Sequence, residues 1–579
     1  MVSDTVQGPA PDTHTPVVFC WHMHQPDYRD HSTGEFLFPW VYLHCIKDYV
    51  DMAAHLEAHP EARAVVNFSP ILLEQIEDYL VQIERWRHGG TVISDPVLAA
   101  LVADTLPEPG STAFLTLMDK CLRANPERII GRFAAFQRLA ELAEIYRSRP
   151  DIQRYLSRQF LADLVVWYHL GWIGETVRRS HPIIRSLQEK SHDYSLEDRR
   201  SLFDVIAELI AGIGPRYRHL ADAGQVELAM NPWGHPIVPL LLDLQSVKET
   251  LPEAPLPQYS QYPGGQQRAR WHLEEGKRVF NRFFCREPVG CWASEGALSQ
   301  QTLALLGEQG FQWTASGDSV LHNSVKPVLE QKKLRAPPGI HRPYSFGDAP
   351  ITVFFRDDGL SDLIGFSYAD WHAKDAVGDL VHHMEKIVMN TGDQANRVIS
   401  VILDGENAWE YFPENGYHFL DELYGVLADH PHLRLSTYQA VLAEPRCKPE
   451  HLPHLVAGSW IYGTFSTWIG DRDTNRAWDL LCEAKQHYDK AMDNGTLSTE
   501  QKVLASRQLG LCESSDWFWW FGDYNPAEVV RDFEHLYRRH LVNLYEAIGY
   551  QPPASLFQPL SQGGGAPARG GAMRPGHEA

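Results

Sequence analysis

Short apolar runs rich in β-branched and aromatic residues recur along this chain, and each breaks off at a polar or aromatic cluster. Val17–Cys20 precedes Trp21-His-Met-His-Gln-Pro26, Ala64–Val66 precedes Asn67–Pro70, and Val226–Met230 precedes Asn231–Pro236. Val289–Trp292 leads to Glu295, Phe311–Thr314 to Ser316–Asp318, Ile351–Phe355 to Arg356–Gly359, and Val398–Leu403 to Asp404–Asn407. Helical stretches such as Gln300–Gln309 and Ala376–Met389 follow several of these runs. Strands alternating with helices predict an α/β fold with a parallel sheet, closed into a barrel at this size. The polar clusters then fall at the C-terminal strand ends, where such barrels carry their functional groups. Leu433–Thr437 is a candidate for one more strand, which leaves the count at seven or eight.

Two regions interrupt this rhythm. From about 75 to 225 the pattern is helical, as in Arg154–Tyr168 and Leu196–Ile213, and it reads as an insertion after the second strand. A second helical region runs from about Thr474 to Ile548. The expected division is a catalytic barrel over 1–440, a helical domain over 441–557 contributing to the active-site cleft, and a Gly/Pro-rich tail over 558–579. That tail has few large apolar groups to bury and is expected to be disordered.

Composition narrows the partners. With 579 residues, 44% of them hydrophobic, the chain can bury a large core. A formal net charge of -22 opposes binding to nucleic acid or an anionic membrane surface, because both require Lys and Arg to replace counterions. The 17 Trp suit either a packed core or the apolar faces of sugar rings. Eight scattered cysteines form no C-x-x-C pair, so free and mostly buried thiols are expected. The first sixteen residues lack a basic start and an apolar stretch, and no run is long enough to span a bilayer, so a cytoplasmic location is expected.

The chemistry points to two carboxylates beside tryptophans. In Pro288-Val-Gly-Cys-Trp-Ala-Ser-Glu295 a carboxylate sits just past a strand end, fixed by backbone as a nucleophile must be. In Val401-Ile-Leu-Asp404-Gly-Glu-Asn-Ala-Trp409 an Asp emerges from a buried strand, where burial and a neighbouring carboxylate, Glu295 or Glu406, raise its pKa. Such a pair is the minimal equipment for cleaving a glycosidic bond. The competing structural readings are a surface Glu opening a helix and an Asp in an Asp-Gly turn.

Other residues are expected to line the substrate cleft: His22, His24, Glu227, His235, Trp292, Arg356, Asp357, Glu406, Trp409, Asp516 and Trp517. For His22 and His24, sugar contact, structural packing and metal binding with help from His235, Asp357 or Asp404 all stay open. No metal or other cofactor is assigned.

Taken in order, His24-Gln-Pro26, Gly224-Gln-Val-Glu227 with His235-Pro236, Gly290-Cys-Trp-Ala-Ser-Glu295, Leu403-Asp-Gly-Glu-Asn407 and Ser514-Ser-Asp-Trp517 resemble the five motifs of glycoside hydrolase family 57. The resemblance implies an incomplete (β/α)7 barrel followed by a helical domain. It also implies a retaining mechanism on α-glucans, with Glu295 as nucleophile and Asp404 as general acid/base. Phe354–Asp362 and Gly458–Gly470 look most like the amylopullulanase and α-amylase branch, which suggests Trp460, Tyr462 and Trp468 as an extension of the cleft. The expected substrate is a maltodextrin, glycogen, starch or pullulan-like glucan, cleaved at α-1,4 links with α-1,6 branches as a second target. The alternatives are a 4-α-glucanotransferase or branching-type transglycosylase on the same scaffold and a metal-dependent deacetylase or mannosidase-like enzyme. Oligomeric state is left open.

Overall fold

The structure, a computed structural model, describes residues 14–90, 92–331, 339–390, 396–565 and 573–576. Its parallel strands are β1 (Thr15–Met23), β2 (Ala64–Phe68), β3 (Val226–Met230), β4 (Trp313–Gly317), β5 (Thr352–Arg356), β6 (Ile399–Asp404) and β7 (Leu433–Leu435). All nine residues of β1 are buried, with no in-out alternation. Helices on both faces of a parallel sheet produce that pattern, and Val17, Val18, Phe19 and Trp21 have the shapes to fill it.

β1 is the hub. On one flank it pairs with β6 from Val17↔Ile399 to His22↔Asp404. On the other it pairs with β2 from Cys20↔Val65 to Met23↔Phe68, while its first residues pair with β7 at Thr15↔Leu433. β3 lies beside β2, and β4 beside β5.

The expected strand at Val289–Trp292 is reduced to isolated bridges, Met230↔Cys291 and Gly290↔Trp313, which stitch β3 to β4. Close approach explains the glycine there, since a Cβ on Gly290 would come within 1.9 Å of the Trp313 ring. Between β5 and β6 the link is a backbone bond from Asp357 N to Ser400 O at 2.8 Å, joined by Arg356 Nε donating to Ile402 O at 2.8 Å. The molecule is therefore a mixed α/β fold with a parallel-stranded core and extensive helices.

Between β2 and β3 the chain is helical, including Pro70–Arg87, Arg158–Trp172 and Leu196–Asp222. The last begins at a capping box in which Ser195 and Asp198 exchange side-chain and backbone hydrogen bonds. After β7 come Arg472–Asp493, Thr499–Cys512, Ser515–Trp520 and Ala527–Ala547. Buried Glu513, at the end of the second of these, accepts from Arg268 Nη2 at 2.8 Å, pairs with His272 Nε2 at 2.8 Å and accepts from Tyr262 Oη at 2.5 Å. Arg268 and His272 lie on the helix Gly265–Phe284, so this network anchors the C-terminal helices to the strand core. Among the described residues no helix is long and apolar enough to cross a membrane.

The tail departs from the expected disorder wherever it is described. Leu560 and Ser561 are buried, and Gly564 and Gly565 donate to the Asn525 carbonyl at 2.9 and 3.0 Å. Glycine compensates for the missing apolar side chains, because a Cβ on Gly565 would lie 1.9 Å from Tyr524 O. Residues 573–576 are seated as well, whereas 566–572 and 577–579 lie outside the described residues.

Candidate active site

A cleft of about 540 Å³ opens at the C-terminal ends of the parallel strands. Its walls include His22, His24, Glu295, Arg356, Asp404, Glu406, Trp460 and Asp516. Residues from the strand ends, from the 458–470 segment and from the C-terminal helices thus meet in one cavity.

Glu295 sits in a short turn with φ 57° and ψ 25°, the left-handed region that non-glycine residues rarely adopt. The surrounding bonds hold it there. Trp460 N donates to Glu295 O at 3.1 Å, and Ser316 Oγ donates to Gly296 O at 2.6 Å. Leu298 and Gly458 exchange backbone bonds of 2.8 and 3.0 Å, which ties the 458–470 segment to the Glu295 turn. As a result Trp460 Nε1 donates to Glu295 Oε2 at 3.0 Å. Strain of this kind persists only where the environment over-determines it, and it concentrates at functional sites.

Asp404 ends β6 and pairs in register with His22 of β1, so the two leave neighbouring strands side by side. Gly405 N donates to His22 O at 2.8 Å, and Asn407 Nδ2 donates to Asp404 Oδ2 at 3.0 Å. Burial raises the pKa of Asp404 despite opposition from Asn407, His24 and Arg356. Burial, then the charges of Asp404 and Asp516, push Glu295 up to about 8, with Trp460 and His24 pulling the other way. Both shifts favour the protonated carboxyl, and the Asp404 charge is one cause of the shift on Glu295.

His24 Nδ1 bonds Ser69 Oγ and its Nε2 bonds Asp516 Oδ1, both at 2.8 Å. Burial disfavours its charge, but Asp516, then Glu406 and Glu295, overcome that and raise its pKa. The His24 ring stacks on His235 at 3.8 Å between centroids, with His22 5.3 Å from His235. Burial, helped by the charge of His24, lowers His22 to about 3 and holds His235 well below the ordinary imidazole range. Glu406 lies behind His24 and accepts from Gln25 Nε2 at 2.7 Å; burial raises it to about 7.

Ligand atoms of His24, His235 and Asp516 approach within 4.8 Å of one another, the only such group of metal-ligating side chains among the described residues. Its geometry disfavours chelation. Imidazole lone pairs lie in the ring plane, and two rings stacked at 16° direct them along parallel planes rather than at a common point.

Several expected contacts lie elsewhere. Glu227 was expected at the mouth but is the second residue of β3, three residues or roughly 10 Å below the strand's end. There it accepts from Trp313 Nε1 at 2.6 Å and Gln439 N at 2.8 Å, closing the floor of the core. Asp357 faces away from the cleft, caps the helix Asp358–Asp362 through Leu360 N and pairs with His341. Trp292, Trp409, Trp468 and Trp517 are fully buried. Trp292 backs Trp460, Trp409 donates to Gly405 O at 3.0 Å, and Trp517 donates to Leu511 O at 2.7 Å. Trp468 packs against Trp519 and accepts from Trp478 through its carbonyl. His235 is also enclosed; it stacks on His24, its Nδ1 bonds Ser515 Oγ at 2.9 Å, and the same nitrogen stands 3.9 Å from Glu295 Oε1. Local sequence does not separate a tryptophan that supports a wall from one that forms it.

The wall-forming aromatics that the sequence did not single out include Trp40, Tyr411, Trp519, Trp520 and Tyr524. For Trp519 and Trp520 the available signal was the run Trp517-Phe-Trp-Trp520, in which alternate residues of a short helix must face opposite ways.

Comparison with known proteins places this geometry. A family 57 branching enzyme from Pyrococcus horikoshii shares 16% identity and aligns over 94% of this chain and 93% of its own, with a TM-score of 0.56. A family 57 branching enzyme from Thermococcus kodakaraensis gives 14% identity, 92% and 90% coverage and a TM-score of 0.55. An α-amylase from Thermotoga maritima gives 14%, 94% and 95% coverage, and 0.53. At these identities the likeness is one of fold. No curated protein sequence matches. The sequence profile of glycosyl hydrolase family 57 matches residues 18–456, well over half of the chain. The chain therefore belongs to glycosyl hydrolase family 57, a family of glycoside hydrolases.

Proposed function

We propose that this protein is a retaining glycoside hydrolase acting on α-glucans, with the parallel strands arranged as an incomplete (β/α)7 barrel. The observation that carries this reading is the placement of Glu295 and Asp404 in one cleft, close enough for the Asp404 charge to raise the Glu295 pKa. Retention requires carboxyl groups roughly 5 to 5.5 Å apart, so that one attacks while the other serves the leaving group.

In the first step Glu295 Oε1 attacks the anomeric carbon as Asp404 gives its proton to the departing glycosidic oxygen. Trp460 Nε1 holds Oε2 and orients the attack. The positive charge developing on the sugar ring favours ionised Glu295, while burial favours the proton on Asp404. In the second step Asp404 takes a proton from water, whose oxygen replaces Glu295 at the anomeric carbon. His24, Asp516, His22 and Arg356 present polar groups for sugar hydroxyls, and Trp460 presents an aromatic face. A neutral maltodextrin, glycogen, starch or pullulan-like chain suits a protein of net charge -22.

A second reading within the same chemistry is transfer, with a sugar hydroxyl replacing water. The resemblance in fold to branching enzymes and to an α-amylase alike supports both readings. Chromatography of maltoheptaose products separates them: hydrolysis gives shorter reducing sugars only, whereas transfer gives longer chains too. Glu295→Gln and Asp404→Asn are each expected to lose at least a thousandfold in kcat. Undiminished activity in Glu295→Gln would remove the proposal.

A further inference from the structure

Residues 573–576 lie in the same cleft as the two carboxylates: Met573, Arg574 and Gly576 form part of its lining. Gly576 is held through both of its backbone groups. Gly576 N donates to Asp362 Oδ2 at 2.9 Å, and Gly576 O accepts from Tyr462 N at 2.9 Å. A Cβ at Gly576 would come within 2.5 Å of the Asp358 carboxylate and 3.0 Å of Arg356 Nη1, so the backbone lies directly against those groups. Met573 is buried.

Arg574 covers the aromatic wall. Its guanidinium carbon stands 4.4 Å from the ring centroid of Trp519 and 4.8 Å from that of Tyr524. These faces are the kind on which the apolar side of a glucosyl ring stacks, and a guanidinium occupies them by the cation–π attraction. The hold is light. Among the described residues Arg574 makes long hydrogen bonds, 3.2 Å to Trp519 O, 3.4 Å to Asn525 Oδ1 and 3.4 Å to Thr467 Oγ1, all to neutral acceptors. Among the described residues, a competing ligand therefore breaks no ion pair in displacing it.

We propose that Met573–Gly576 is a built-in occupant of the cleft, and that Arg574 on the Trp519–Tyr524 platform selects glucans by length. This rests on the α-glucan reading above. A chain long enough to cross the platform must displace Arg574, whereas a short one lodged beside Glu295 and Asp404 leaves it in place. Displacement lowers the apparent affinity for long chains by the fraction of molecules with the platform open.

The test uses the full-length protein, the Arg574→Ala variant and a form ending at residue 572. Sulfur-linked malto-oligosaccharides of three and seven units are titrated into each, because they bind without turnover. Acrylamide quenching of tryptophan fluorescence in the absence of glucan reports whether Arg574 shields Trp519. Both altered forms are expected to quench more readily and to bind the seven-unit analogue about tenfold more tightly, with the three-unit analogue unchanged. Weaker or unchanged binding of the long analogue, or an equal gain for both lengths, would overturn the proposal; the segment would then be a wall, not a competitor. Unchanged quenching would overturn the seating itself. If no analogue binds any form, the α-glucan reading falls and the length selection with it, while the quenching result still shows whether the segment is seated.

Discussion

At the residue scale, the site depends on placing charge where water is scarce. Glu295 occupies a strained left-handed conformation, and Trp460 both closes the loop beneath it and donates to its carboxylate. Trp460→Phe keeps the ring and removes that bond. A hydrogen bond to a charged group contributes about 1.5–3 kcal/mol, so kcat/KM is expected to fall roughly 10- to 100-fold in steady-state assays. The pH dependence follows from the shared proton. On the proposed mechanism the free enzyme works with one proton on the two carboxyls, and Glu295, raised to about 8, sets where that proton leaves, so kcat/KM is expected to decline above about pH 8. Asp516→Asn removes a charge that holds the proton on Glu295 and moves this alkaline limb to lower pH. An unmoved limb in the pH–rate profile would separate Asp516 from the pair. Glu227 makes the opposite point. Glu227→Ala strands the buried Trp313 Nε1, which is expected to cost about 1–3 kcal/mol in denaturant unfolding, with KM unchanged.

At the element scale, the strand pattern was legible because buried parallel strands read as apolar runs. β1, β2, β3, β5 and β6 fall on the expected segments and β7 on the additional candidate, while β4 overlaps its run only at Trp313 and Thr314 and continues through Ser316 and Gly317. The Val289–Trp292 run was legible as a strand but forms only bridges, since Gly290 lets Trp313 press against its backbone. Periodicity carries no information on such a long-range contact. Nor does it show which network joins the helices to the core. Glu513 is that joint: burial alone would raise its pKa, but Arg268 and His272 hold it down to about 2, from 4.5. A depressed carboxyl stabilises the fold fully above its unfolded pKa, and the contribution is lost as pH falls through the folded value. Glu513→Gln is expected to cost about 3 kcal/mol at pH 7. That gap to the native protein should close as pH falls from about 4.5 to 2, a trend readable from urea unfolding at successive pH values.

At the scale of the whole molecule, the cleft belongs to no single part of the chain. β1 contributes His22, β6 contributes Asp404, the 458–470 segment contributes Trp460, and the C-terminal helices bring Asp516 to His24. That Glu295 and Asp404 reach one cleft was legible in the sequence, since Asp404 directly follows an apolar run and Glu295 comes three residues after another. Trp409, Trp468 and Trp517 could not be sorted into wall or support, since that depends on which side of a turn or helix the packing turns inward. The described end of the tail was illegible for a similar reason: its seating rests on backbone bonds and one guanidinium rather than on apolar side chains. All of these parts converge on the single covalent step assigned to Glu295. Its most direct test is mass spectrometry of the protein after incubation with a fluorinated α-glucosyl fluoride that forms a glycosyl-enzyme but turns over slowly. The expected result is one added glycosyl unit on the peptide carrying Glu295, absent from Glu295→Gln. Continued turnover with no adduct, or an adduct on another carboxylate, would contradict the assignment.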